Sequence, residues 1–446
     1  MLKLSLKGDY TMFKLRYNFL VITQIILGIV NYVLLLRVFG VSIQSDAYLL
    51  ATSSLTVLVN LVIFPIGQFI PYYNDMKAKS IKESHKFYNS SIFLALILGL
   101  IFVIFINLLL PLVIRAFAFN IDIERYNLFK TMLQILSVGL IFYPINQINE
   151  QLFNAEMRFS VPYILSCIPL ALITICQIAM IYFQNENVVN LAIAQSFGLF
   201  GIALFGTTYI HKTLIKFKFE KWHYLLKEEI KNSITLKLGD FGWSIAIPIL
   251  FNNFLVTFPK GYVSYFYYAR KILDIANNFT IGPSARILRS KISKCISLKD
   301  TQTIKKMSKS FLLIGGCVFI LVLIGAYILQ TPILNLVTNG KLNIDDFKMI
   351  SIIFLTLCPW YFVIFLENPF VAVTHMSKKA KETLAINFIF LIIFAPLLFI
   401  LKPLFQIYAL GLSTSIAQIS NLILYIIVFH KAIQQLENIK ETTCNN

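Results

Sequence analysis

The stretch FLVITQIILGIVNYVLLLRVF, residues 19–39, carries a single charge, Arg37, in 21 positions. A helix of about 20 apolar residues crosses the ~30 Å hydrocarbon core of a bilayer. The stretch is too long for the apolar region of a secretory signal, and no small-residue cleavage site follows it. In lipid its backbone groups must bond to one another, so it is read as a transmembrane helix.

Eleven further stretches read the same way: 47–70, 91–115, 131–153, 161–183, 188–210, 236–257, 262–285, 310–330, 347–368, 381–401 and 405–429. The whole 446-residue chain is 58% hydrophobic and 13% charged, whereas a soluble domain is about 25% charged. The expected fold is an all-α integral membrane protein of twelve transmembrane helices. The division is expected at a six-helix bundle over 1–211, a basic cytoplasmic linker over 212–235, a second six-helix bundle over 236–430 and a cytoplasmic tail over 431–446.

Basic residues set the orientation. With the N-terminus inside, cytoplasmic segments hold 29 of the 39 Lys and Arg residues, and outer segments hold 7. Cytoplasmic loops attract such an excess, so both termini are expected on the cytoplasmic side. The net charge of +18 is therefore assigned to these loops and to anionic lipid headgroups, with no nucleic-acid partner. In the linker KTLIKFKFEKWHYLLKEEIK, Phe, Trp and Leu interleave with lysines, which suits a stretch lying on the inner leaflet.

A weak repeat relates the halves. Phe39, Ser45 and Tyr48 recur as Phe258, Ser264 and Tyr267 at an offset of 219, and Pro65 matches Pro283 at 218. Both copies have the same predicted orientation. Together with the six-plus-six layout, this predicts a duplicated bundle around a central cavity.

Three basic residues lie inside apolar spans: Arg37, Arg270 and Lys271. A cation at the bilayer centre costs ~2.5–3.5 kcal/mol on insertion scales, so it normally faces a partner or a water-filled cavity. Arg37 and Asp46 are close in the chain and are expected to form an ion pair, a clasp or a gate. Arg270 and Asp274 stand four residues apart on one helix face and are expected to pair. Lys271 is left on another face, free for a ligand. Two adjacent cations beside Tyr267 and Tyr268 suit a pyrophosphate flanked by sugars, because Arg grips phosphate bidentately and Lys acts as a point charge. Asp240, between Gly239 and Phe241, is a candidate for binding Na⁺ or H⁺, or a helix-start carboxylate favoured by the dipole. Glu367 beside Asn368, and Glu150 near Asn146 and Asn149, are secondary cavity candidates.

Four local patterns resemble the MurJ/MviN-type lipid flippases of the MOP transporter superfamily, in order along both halves. These are Arg37-Val-Phe-Gly40 with Ser45-Asp46-Ala47-Tyr48; Phe153-Asn-Ala-Glu-Met-Arg158-Phe-Ser-Val-Pro162; Ser264-Tyr-Phe-Tyr-Tyr268-Ala-Arg-Lys271; and Phe370-Val-Ala-Val-Thr374 through Lys381-Glu-Thr383. The resemblance implies a MOP/MATE-like fold and a lipid-linked sugar substrate. Where that family carries further arginines, this chain has Asn31, and Val59 or Asn60. Where it has an aspartate in the fourth pattern, the chain reads Lys378-Lys379-Ala380. The family's two extra C-terminal helices are not expected here, since the sequence ends soon after the twelfth span.

The expected function is a flippase carrying a polyprenyl-pyrophosphate-linked sugar, lipid II-like, across a bacterial inner membrane by alternating access. The chain is expected to work as a monomer, without a bound cofactor, driven by Na⁺, H⁺ or the membrane potential. Polysaccharide-unit flippases of the Wzx type remain an alternative, as do small-molecule exporters of the MATE type and a membrane glycosyltransferase. The cationic residues argue against a cationic-drug exporter. No Walker loop, G-x-S-x-G elbow or paired-carboxylate loop is present to support an enzyme. The six cysteines form no CxxC, and the histidines show no HxxxH spacing, so neither disulfides nor a metal are expected.

Overall fold

A computed structural model describes residues 2–444, apart from 221, 240, 241, 298, 339, 340 and 378. Asp240, and Lys378 of the fourth pattern, lie outside the described residues. The chain divides into two compact units, Met1–Lys237 and Leu238–Asn446.

The first unit contains α1 (Leu2–Phe39), α2 (Ile43–Ile63), α3 (Phe69–Lys79), α4 (Ile81–Leu108), α5 (Leu110–Phe117), α6 (Ile123–Val138), α7 (Phe142–Ala155), α8 (Ser160–Phe183), α9 (Val189–Thr213) and most of α10 (Leu226–Gly239). The turn between α1 and α2 explains why the first helix ends and the second begins where they do. Gly40 takes φ 54°, a left-handed value that costs glycine little. Ser42 then caps α2: its Oγ accepts the Ser45 N–H at 3.2 Å, and the Ser45 Oγ accepts the Ser42 N–H at 2.9 Å. Pro65 sits in the 3₁₀ turn Phe64–Ile66 that separates α2 from α3. At one end of the unit, Phe69, Tyr73, Phe87, Tyr88, Leu152 and Phe153 form a buried cluster that also takes in Ile215 and Leu226. The basic linker is thereby bound to the first unit through its apolar residues. Its Phe217, Phe219, Trp222 and Tyr224 are exposed. Between α9 and α10 its described residues take no regular secondary structure.

The second unit contains α11 (Ile247–Leu255), α12 (Tyr262–Ser297), α13 (Thr301–Ser310), α14 (Gly316–Thr338), α15 (Ile344–Met376), α16 (Ala380–Phe405) and α17 (Ala409–Cys444). Helix α15 packs along α12 and α17, and α16 packs along α17. It starts on a reciprocal cap between Asn343 and Asp346 and carries Pro359 and Pro369 in its interior. Each proline removes one i→i−4 hydrogen bond, so α15 has two built-in bend points.

Among the described residues, nine stretches are long and apolar enough to cross a membrane. They differ from the expected twelve in three places. Of the seventh, the described residues give an apolar helix over Ser244–Leu255, preceded by positions 240 and 241 that lie outside them. The eighth, α12, is not apolar throughout, since Arg270, Lys271, Asp274, Asn277 and Asn278 interrupt it. The last two form one apolar stretch, Lys381–Asn438, broken by the 3₁₀ turn Gln406–Tyr408. The chain is a multi-pass, all-helical membrane protein over its described residues.

Candidate functional site

The α12 cations are held very differently. The Arg270 guanidinium lies 5.8 Å from the centroids of both the Phe251 and Trp360 rings. Its Nε is 3.9 Å from Asp274 Oδ2, and 30% of its side chain is exposed. Cation–π contact is worth ~0.5–1 kcal/mol at exposed sites and about 2 when desolvated, so two rings and a carboxylate compensate much of the cost of the charge. Asp274 also accepts the Tyr361 hydroxyl of α15. Nearer the start of α12, Tyr265 donates to Asp346 and so joins α12 to the start of α15. Tyr267 donates to Asn252 Oδ1 of α11 at 2.6 Å.

Lys271 is exposed and forms no ion pair among the described residues. The two adjacent cations therefore divide into one caged by aromatic rings and one reaching outward. Tyr267 keeps part of its surface accessible, whereas Tyr268 is only 1% exposed. Its ring is packed in the core, so Tyr268 presents no surface to a ligand in this conformation. The sequence placed it beside Tyr267, but neighbours on a helix point about 100° apart, and here one of the two points inward.

Beyond Arg270 a chain of buried polar groups links α15 and α17. Trp360 Nε1 donates to Gln418 Oε1 at 3.3 Å, and Gln418 Nε2 donates to Glu367 Oε2 at 2.7 Å. Trp360 and Glu367 are seven residues apart, two turns along one face of α15.

In the first unit the expected Arg37–Asp46 pair is not formed. Asp46 Oδ2 is 3.6 Å from Arg125 Nη1, and both side chains are buried. Arg125 Nε also donates to Asp122, the N-cap of α6. Arg37 is exposed, between the buried Leu36 and Val38. The face that α1 buries is set by its apolar residues, and Arg37 falls off that face. Nearness in sequence did not decide the partner.

Asn31, where the resembled family carries arginine, ties α1 to α8. Its Nδ2 donates to the Leu170 carbonyl at 3.0 Å, its Oδ1 accepts Thr174 Oγ1 at 3.2 Å, and its carbonyl accepts Gln177 Nε2 at 3.1 Å. Asn149 accepts the Tyr88 hydroxyl at 2.9 Å and donates to Thr207 at 3.0 Å, and Asn146 donates to the Leu199 carbonyl at 3.2 Å. These amides join helices of the first unit to one another. Among the described residues no group of three His, Cys, Asp or Glu side chains is placed to hold a metal.

Sequence reasoning missed Phe251, Trp360 and Tyr361 as the surroundings of Arg270, and Arg125 as the partner of Asp46. A Trp-Tyr pair directly after Pro359, inside an apolar span, was a signal for Trp360 and Tyr361, while nothing set Phe251 apart. Arg125 read as one of the few outer-loop cations, with nothing to set it apart.

Solved structures share this fold. A lipid II flippase MurJ in an inward closed conformation superposes with a TM-score of 0.74 at 21% identity, over 96% of this chain and 92% of that one. An inward-facing multidrug resistance MATE family transporter of the MOP superfamily gives 0.76 at 15% identity, over 93% of this chain and 95% of that one. An outward-facing MATE transporter gives 0.64 at 14% identity, with 96% of each chain covered. At such identities the likeness is one of fold. No curated protein matches the chain by sequence. The model of the lipid II flippase MurJ family matches residues 35–444, from the end of α1 to the end of α17, and the chain belongs to that family.

Proposed function

We propose that this flippase moves a polyprenyl-pyrophosphate-linked sugar of lipid II type from the inner to the outer leaflet of a bacterial inner membrane. It works as a monomer, with twelve transmembrane helices in two six-helix bundles and both termini in the cytoplasm. The observation that carries the reading is the adjacency of Arg270 and Lys271 on α12. One is fixed by Phe251, Trp360 and Asp274, and the other is exposed. A diphosphate needs two cationic contacts that survive in a low-dielectric site. The ring cage keeps the Arg270 charge in place without fully neutralising it, and Lys271 adds a mobile point charge. Tyr267 offers a ring face to a sugar.

Arg37 supplies a further exposed cation at the far end of α1. Asp46 and Asp274 are the carboxylates of the ion pairs on α2 and α12, and rearrangement of these pairs would accompany alternating access. Asp240 is retained as a cation-coupling candidate, with Na⁺, H⁺ or the membrane potential as the driving force. Phe219, Trp222 and Tyr224 beside the linker lysines would rest on anionic headgroups of the inner leaflet.

The test is leaflet accessibility of lipid-linked glycan in cells that depend on this chain. Arg270→Ala and Lys271→Ala are each expected to leave glycan on the inner leaflet while protein levels stay normal. Unchanged translocation in both variants would remove the assigned role of the pair.

A further inference from the structure

Glu367 is 6% exposed. Its Oε2 accepts one hydrogen bond, from Gln418, and its Oε1 is buried with no partner among the described residues. Three residues on from Gln418, and so on the same face of α17, Asn421 is 2% exposed with its Oδ1 also buried and without a donor. Two acceptor oxygens on helices that pack together thus lack a donor. The titratable groups on the surrounding helices include Tyr361 and His375 on α15 itself, Arg270 and Asp274 on α12, Tyr327 on α14 and Tyr425 on α17. Tyr361 is bonded to Asp274, and Arg270 pairs with Asp274. None of the six is hydrogen-bonded or ion-paired to Glu367 among the described contacts. An ionised carboxylate enclosed this way, with one neutral amide as donor, is strongly disfavoured, and such a group takes up a proton instead. Its helix can also bend on either side of it, at Pro359 and Pro369.

We propose that Glu367 is a proton-binding site of the second unit. The carboxyl holds a proton while enclosed between α15 and α17 and releases it to water when the two helices part. On release the O–H bond breaks, the electron pair stays on the carboxylate and the proton passes to water. The charged form then favours the open arrangement, which couples proton exchange to the movement of α15. The same network reaches Trp360, whose indole N–H bonds Gln418 and whose ring lies against Arg270. Proton occupancy at Glu367 is in this way connected to the cation assigned to the diphosphate. The purpose of the coupling rests on the transport reading above, but the titration itself does not.

The experiment uses the full-length chain in detergent with Trp222→Phe and Trp243→Phe, which leaves Trp360 as the single tryptophan of the three in the sequence. Its fluorescence is expected to follow a one-proton transition with pH, and Glu367→Gln is expected to abolish it. The same transition in Glu367→Gln overturns the proposal. So does a response to Na⁺ at constant pH in place of a response to pH. Should Glu367→Gln not fold, Gln418→Leu keeps the carboxyl but removes the donor to its ionised form. The midpoint is then expected at higher pH, and an unmoved midpoint overturns the proposal. In proteoliposomes, an imposed pH gradient should speed lipid II movement severalfold in the wild type and have no effect in Glu367→Gln. A wild type that moves no lipid II sinks the transport reading, while the Trp360 titration still decides the proton site.

Discussion

Asp46 Oδ2 lies 3.6 Å from Arg125 Nη1, with 0% and 4% of the two side chains exposed. The pair fastens α2 to α6, and Asp122 holds the same guanidinium at the start of α6. Removing one partner of a buried pair leaves an uncompensated charge and costs about 3–5 kcal/mol. Asp46→Ala is therefore expected to lower the unfolding temperature of the detergent-solubilised protein markedly. Arg37→Ala, at an exposed position, should stay within about 0.5 kcal/mol of the wild type. Equal losses in the two variants would show that Arg37 shares the carboxylate in solution.

Arg270 and Lys271 should separate stability from binding. Arg270→Gln removes the cation from between Phe251 and Trp360 and leaves Asp274 with the Tyr361 hydroxyl as its remaining bonded partner. It is expected to cost both thermal stability and lipid II binding. Lys271→Ala should leave stability unchanged and weaken binding by about five- to tenfold, as expected for a lost contact of ~1–1.4 kcal/mol. The check is a paired measurement of unfolding temperature and of lipid II affinity in detergent.

The spans could be read from the sequence because hydrocarbon imposes one simple demand, a long apolar helix, and most stretches of this chain meet it. The Arg270–Asp274 contact was readable for a similar reason, since both residues lie on one helix and i,i+4 spacing fixes their proximity. Contacts between helices were not. Which face of α1 turns inward depends on Leu36 and Val38 packing against neighbours far off in sequence, so Arg37 gave no sign that Asp46 would go to Arg125. The rings around Arg270 come from α11 and α15, and Gln418, which reaches Glu367, comes from α17. No periodicity within α12 or α15 encodes those meetings.

Two glycines make opposite predictions. A Cβ on Gly411 would stand 2.7 Å from the Thr356 carbonyl oxygen, a backbone atom of α15 that has little room to move. Gly411→Ala is expected to push α17 off α15 and cost about 1–3 kcal/mol, the usual range for overpacking. A Cβ on Gly325, in the interior of α14, meets nothing within 4 Å. Gly325→Ala should hold or raise stability, by up to about 1 kcal/mol, because alanine loses less backbone freedom in a helix. Thermal unfolding of both variants checks the contrast, which fails if Gly411→Ala proves neutral.

Glu229 sits on the inward face of α10, with Leu226 and Ser233, and is 0% exposed. Both its carboxylate oxygens are buried without a hydrogen-bond partner among the described residues, and burial pushes the carboxyl up to about 8. On the same face, Ser233 Oγ accepts the Gln68 N–H at 3.0 Å, so this face seats the linker helix on the first unit. In the unfolded chain a glutamate titrates near 4.3, so between roughly pH 4.3 and 8 the folded state binds more protons than the unfolded state. Stability must then fall as pH rises through that window, with the full cost present above about pH 8. A shift of that size corresponds to an upper bound on the order of 5 kcal/mol. Limited proteolysis between residues 215 and 226 is expected to quicken from pH 6 to pH 9 as the charged carboxylate loosens α10. Glu229→Gln cannot ionise, so it should stay resistant at pH 9 and lose the pH dependence. Cleavage that quickens equally in the variant would assign the effect to another group, with His223 and Glu83 at the same end of the unit the next to exchange.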